Sequence, residues 1–132
     1  MHIEINDKTP LSEIQQVFSD FYPYLKIEFC SKRHKKHKNP SEKNLIDPGI
    51  LIGDINHTHA SGFLEIWPLY KIADVVREFQ DRFGLTVEIF RKEKNGWEQS
   101  TGTDDFTLKE INEIGRSSSD EYIIEDYEKG LE

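Results

Sequence analysis

Few side chains in this 132-residue chain have the type and spacing to do chemistry. Cys30, His34 and His37, with His57 and His59 further on, are ligand types for zinc, nickel or copper. The Cys-x3-His-x2-His spacing followed by His-x-His matches no closed structural zinc pattern. His34 and His37 also lie within the basic run of Lys32, Arg33, Lys35, Lys36 and Lys38, whose field disfavours a bound cation. That run is the clearest feature a partner could read, because clustered lysine and arginine attract phosphates or an acidic protein surface. Metal-ion or polyanion binding through this His-containing loop is therefore the alternative functional expectation.

For catalysis the sequence offers no Gly-x-Ser-x-Gly elbow, no P-loop, no Gly-x-Gly-x-x-Gly and no metalloprotease helix motif. The single cysteine, Cys30, falls two residues from Glu28 on a strand, and a nearby carboxylate raises a thiol pKa and works against a nucleophile. The expectation is a non-enzymatic chain without a cofactor.

The elements around these residues can be read from periodicity. His2 to Asn6 alternates, with Ile3 and Ile5 on one face, as in a half-buried strand. Thr9 offers an N-cap and Pro10 a first helical position, after which Leu11, Ile14, Val17, Phe18 and Phe21 recur at helical spacing. Leu25, Ile27 and Phe29 mark the second strand, and residues 31–48 form a long basic loop. Residues 50–55 are apolar but broken by Gly53, and their pattern does not decide between a strand and a packed extended segment. Phe63 to Trp67 reads as a strand, Ile72, Val75, Val76, Phe79 and Phe83 as an amphipathic helix closed by Gly84, and Leu85, Val87 and Ile89 as another strand. Asn95-Gly96 signals a hairpin, and Thr107 with Glu110 signals a capping box opening a short helix that Gly115 stops.

Residues 2–32 and 63–92 therefore repeat one strand, helix, strand unit. Leu25-Lys26-Ile27-Glu28-Phe29 matches Leu85-Thr86-Val87-Glu88-Ile89, and Ile3-Glu4-Ile5 matches Leu64-Glu65-Ile66. Two βαβ units cover each other's apolar faces, so the expected fold is α+β and ferredoxin-like: a split βαβ with a four-stranded antiparallel sheet and both helices on one face. A C-terminal hairpin strand and short helix are appended. Glu4, Glu28, Glu65 and Glu88 then fall on the open sheet face, together with the aromatics Phe63, Trp67 and Phe90. Carboxylates among these aromatics repel a phosphate backbone, so nucleic acid is expected only at the basic loop and not on the sheet.

Composition is compatible with one domain over residues 1–115 followed by an acidic, disordered tail over 116–132. Charged residues reach 32% and the net charge is -8, so part of the chain must be solvated segments. One cysteine excludes an intrachain disulfide, and no apolar run reaches the ~20 residues of a membrane span, so a cytoplasmic location is expected.

The segments Leu25-Lys26-Ile27-Glu28-Phe29, Gly84 to Lys92, Trp97 and Thr103 to Glu110 together resemble a group of small uncharacterised bacterial proteins. The resemblance covers most of residues 1–115 and implies no activity or catalytic residue. The functional expectation is a protein-interaction or regulatory module that contacts an unidentified protein or a second copy of itself. Its contact residues are drawn from the loop cations and from Phe63, Trp67 and Phe90.

Overall fold

The structure, a computed structural model, describes residues 1–31, 45–55, 61–99 and 105–131, the last helix beyond residue 119 by its backbone alone. In chain order the elements are β1 (His2–Ile5), α1 (Leu11–Phe21), β2 (Leu25–Cys30), α2 (Ile52–Ile55) and β3 (Gly62–Glu65). They continue with α3 (Ile72–Phe83), β4 (Thr86–Glu93), β5 (Gly96–Gln99) and α4 (Leu108–Leu131). The strand positions assigned to the helix side by alternation, Ile3, Ile5, Leu25, Ile27, Phe29, Leu64, Ile66, Leu85, Val87 and Ile89, are all buried. They meet Ile14 and Phe18 of α1 and Val75, Phe79 and Phe83 of α3 in one cluster, with Phe79 edge-on to Phe29 at 5.8 Å. Removing a large side chain from such a cluster costs about 2–5 kcal/mol, so this shared core welds the two units together.

Strand pairing departs from the expected single sheet. β1 pairs antiparallel with β3, while β2 pairs antiparallel with β4 and β4 with β5, giving a two-stranded and a three-stranded sheet. A split βαβ would place β2 and β4 at opposite edges. Here each strand pairs with the strand equivalent to it in the other unit. Ile3 lies opposite its own twin Leu64, and Glu28 opposite its own twin Glu88, as an internal two-fold axis through those pairs requires. The remaining edges are partly occupied. Leu45 bridges Cys30 and the Ile46 amide donates to Phe29 O at 2.8 Å, while β5 takes the other side of β4.

The repeat extends further than the strand phrases reveal. The Leu11 amide donates to Ile50 O and the Ile52 amide to Thr9 O; in the second unit the Ile72 amide donates to Phe106 O and the Leu108 amide to Tyr70 O. Pro10 bridges Leu51 as Lys71 bridges Thr107. Residues 50–55 are thus neither strand nor simple extended segment: a one-residue bridge leads into the four-residue helix α2, which occupies the place of the first turn of α4. The sequence carried a weak signal for this equivalence, since Ile52-Gly53-Asp54-Ile55 parallels Leu108-Lys109-Glu110-Ile111.

Helix ends follow local chemistry with two shifts. Pro10 itself is the N-cap of α1, because the Thr9 hydroxyl is used to accept the Asn6 amide at 3.0 Å. Gly84 closes α3 in the left-handed region at φ 64°, and Thr107 and Glu110 form the reciprocal capping box, both bonds at 3.1 Å. The Thr107 amide, then its hydroxyl, hold the Glu110 carboxyl below the usual range. Gly115, expected to stop a short helix, lies inside α4, which runs on through the residues assigned to a disordered tail. Its role is close approach: a Cβ there would sit 2.8 Å from Tyr24 Cβ and 3.0 Å from Tyr24 O. Glycine lets α4 lie against the start of β2.

Gly115→Ala therefore tests packing against propensity. Alanine favours an exposed helix interior by about 1 kcal/mol, whereas overpacking costs about 1–3 kcal/mol. A net loss of up to about 2 kcal/mol in urea unfolding is expected, and a gain would contradict the close approach.

Candidate functional surface

Lys32, Arg33, Lys35, Lys36 and Lys38, and the histidines His34, His37, His57 and His59, lie outside the described residues. Among the described residues no group of three or more histidine, cysteine, aspartate or glutamate side chains is placed to hold a metal ion. No helix there is long and apolar enough to cross a membrane.

The four glutamates do not form one row on one open face, because their strands belong to two sheets. Glu4 and Glu65 are exposed on the outer face of β1 and β3. Glu28 and Glu88 face each other across β2 and β4, and Glu88 is only 7% exposed. Like charges directly opposite destabilise a sheet, and neighbours relieve this pair. Lys26 Nζ lies 3.6 Å from Glu28 Oε1, Gln15 Nε2 donates to Glu28 Oε2 at 3.2 Å, and Gln99 Nε2 donates to Glu88 Oε2 at 2.7 Å. Cys30 is buried on the same strand face, and burial, then Glu88, then Glu28 push its thiol from 9.0 up to about 12. An inert thiol rather than a nucleophile results.

The three expected contact aromatics also separate. Phe90 is buried, with Lys26 Nζ 5.1 Å from its ring centre, so it offers no platform. Lys26 and Lys92 lie 5.2 and 5.1 Å from the Trp97 ring, placing cation–π contacts where base stacking would occur. Phe63 and Trp67 remain uncovered, each 54% exposed. Leu108 and Ile111 carry α4 into the core and Gly115 sets it against Tyr24 and Arg91, so its described side chains leave Phe63 and Trp67 open.

Trp67 leads to a feature that strand periodicity could not show. A groove of about 740 Å³ opens between the end of α1, the turn before α3 and the flank of α4. Phe21, Trp67 and Leu69 form its apolar wall, Lys109 and Glu113 its polar one. Phe21 is 58% and Leu69 74% exposed, while Tyr22 lies beneath them, its hydroxyl donating to Ile66 O at 3.2 Å. Burial pushes that phenol from 10.0 up to about 12.

The internal repeat provides a control for this wall. The turn at Asn6 to Thr9 is closed by the Thr9 amide on Asn6 O at 3.0 Å, and the turn at Trp67 to Tyr70 by the Tyr70 amide on Trp67 O at 3.0 Å. One backbone turn is thus built twice. The positions of Trp67 and Leu69 are held in the first unit by Asn6 and Lys8, both exposed. At the helix end, Phe18 and Phe79 are equivalent and buried, which makes Arg82 the counterpart of Phe21. All three groove hydrophobes replace polar residues that serve the same backbone, so the fold does not require their exposure.

The chain has no match among protein-family models, curated proteins or solved structures.

The buried thiol and phenol set an alkaline limit on stability. Each ionises at higher pH when folded, so the unfolded chain loses those protons first, and folding loses stability as pH rises from about 9 toward about 12. Urea midpoints should fall across that window, and Cys30→Ala with Tyr22→Phe should flatten the fall. At about pH 8 iodoacetamide should label Cys30 only as fast as the chain opens; rapid labelling of folded protein would contradict the assignment.

Proposed function

We propose that the protein is a non-enzymatic interaction module and that its contact surface is the groove of Phe21, Trp67 and Leu69. The observation that carries this reading is the difference between twin positions. The turn carries polar residues in the first unit and large exposed hydrophobes in the second, and the helix end carries Arg82 in the second unit and exposed Phe21 in the first. Exposed apolar side chains gathered around a concavity mark contact sites on small domains, whereas scattered ones do not. A different protein and a second copy of the chain are both occupants of the class this reading describes.

The test transplants the polar set, as Phe21→Arg, Trp67→Asn and Leu69→Lys in one chain. Because the equivalent positions of the other unit support these residues on the same backbone, Tm should stay within about 4 °C of wild type, a stability change of about 1 kcal/mol or less. Hydrophobic-dye binding should drop several-fold, and any concentration-dependent sedimentation of wild type should disappear. A fall in Tm of about 10 °C or more would assign these side chains to the core and sink the reading.

A further inference from the structure

We infer that the groove receives a cationic segment of a partner protein carrying an aliphatic or aromatic anchor, a conclusion that rests on the interaction reading above. Ile66 and Met1 continue the β1–β3 ladder, each amino group donating to the other's carbonyl, so alternation persists to Trp67. Phe63, Glu65 and Trp67 are then successive outward positions on one strand, with Glu4 directly opposite Phe63. Two exposed rings bracket a carboxylate, and a second carboxylate lies beside them. Outward neighbours on a strand are roughly 6.8 Å apart, so a lysine or arginine head paired with Glu65 can also lie over an adjoining ring.

The protein already holds one nitrogen base on this face. His2 Nδ1 lies 3.1 Å from Glu65 Oε1 while its ring stacks on Phe63 at 4.8 Å. This leaves Trp67 as the ring available to a partner, and Glu4 has no ion-pair partner among the described residues. The apolar wall at Leu69 and Phe21 adjoins Trp67, so a segment lying along this face meets carboxylates and rings first and the groove next. On the groove's polar wall Glu113 is paired with Arg116 at 2.9 Å beside Lys109, so the attraction for a cation comes from Glu4 and Glu65 on the strand face and the groove takes the anchor. The net charge of -8 acts in the same direction: it attracts cationic partners over distance and repels acidic ones.

The experiment uses the full chain with Trp97→Phe, which leaves Trp67 as the single tryptophan. Its fluorescence is followed while a short synthetic peptide of alternating lysine and leucine is added, in parallel with a glutamate–leucine peptide and a lysine-only peptide. The lysine–leucine peptide should bind saturably and shift Trp67 emission to the blue; the other two should bind at least about tenfold more weakly. Glu4→Gln with Glu65→Gln should weaken binding about fivefold at low salt, and less at high salt, with Tm unchanged. Asp54→Asn with Asp81→Asn removes the same charge from α2 and α3 and should leave binding unaltered. Equal binding of the two leucine peptides, or equal loss from both charge-neutralised pairs, overturns the cationic partner while the interaction module stands. Absence of any Trp67 response also overturns it, and the polar transplant, read by Tm, dye and sedimentation, then judges the module separately. Wild-type sedimentation as a dimer that the transplant makes monomeric, without peptide binding, would assign the groove to a second copy and overturn the inference.

Discussion

Everything in this fold depends on a register: each strand lies against its own counterpart, with Ile3 on Leu64 and Glu28 on Glu88. A side chain period of two means that a slip of one residue would turn every core position outward. The self-matched register puts Ile5, Ile66, Ile27 and Ile89 on the inside together and lets α1 and α3 share one core. It also settles where helices can go. Because the bridge at Pro10–Leu51 and the bridge at Lys71–Thr107 are the same interaction, α2 and α4 start from equivalent places and diverge only afterwards.

That divergence separates scaffold from surface. The buried twins are conservative pairs: Phe18 with Phe79, Leu11 with Ile72, and Ile27 with Val87. Exposed twins differ freely: Asn6 and Trp67, Lys8 and Leu69, Phe21 and Arg82. Close packing penalises a change of even one methylene, while solvent penalises almost none. Large hydrophobes at three free positions around one concavity are therefore informative about function in a way that the core hydrophobes are not.

Most of the core was legible in the sequence, because alternation and helical spacing are local and the ten inward strand positions follow from them directly. The capping box at Thr107 and Glu110 and the left-handed Gly84 were legible for the same reason. Strand partners were not. A duplicated βαβ pattern fits more than one pairing, and nothing near Glu28 in the sequence states whether Glu88 or a different strand lies beside it. Gly115 was misread because a glycine required by close approach to Tyr24 looks, in sequence, like one that ends a helix. The groove was half visible. Trp67 stood out by strand alternation, but Phe21 was assigned to a helix face and Leu69 to no element, and only the fold brings them together with Lys109 and Glu113.

The Glu28–Glu88 contact has a consequence for how this chain can change. In a symmetric pair of identical units, a residue on the two-fold axis meets itself, and any remedy for the like charge must appear on both sides at once. Joining the units in one polypeptide lifts that restriction: Lys26 and Gln15 serve Glu28, while Gln99 of β5 serves Glu88. The same freedom applies at the surface. Identical units would present two like grooves, whereas this chain lines one with Phe21, Trp67 and Leu69 and builds the equivalent positions with Arg82, Asn6 and Lys8.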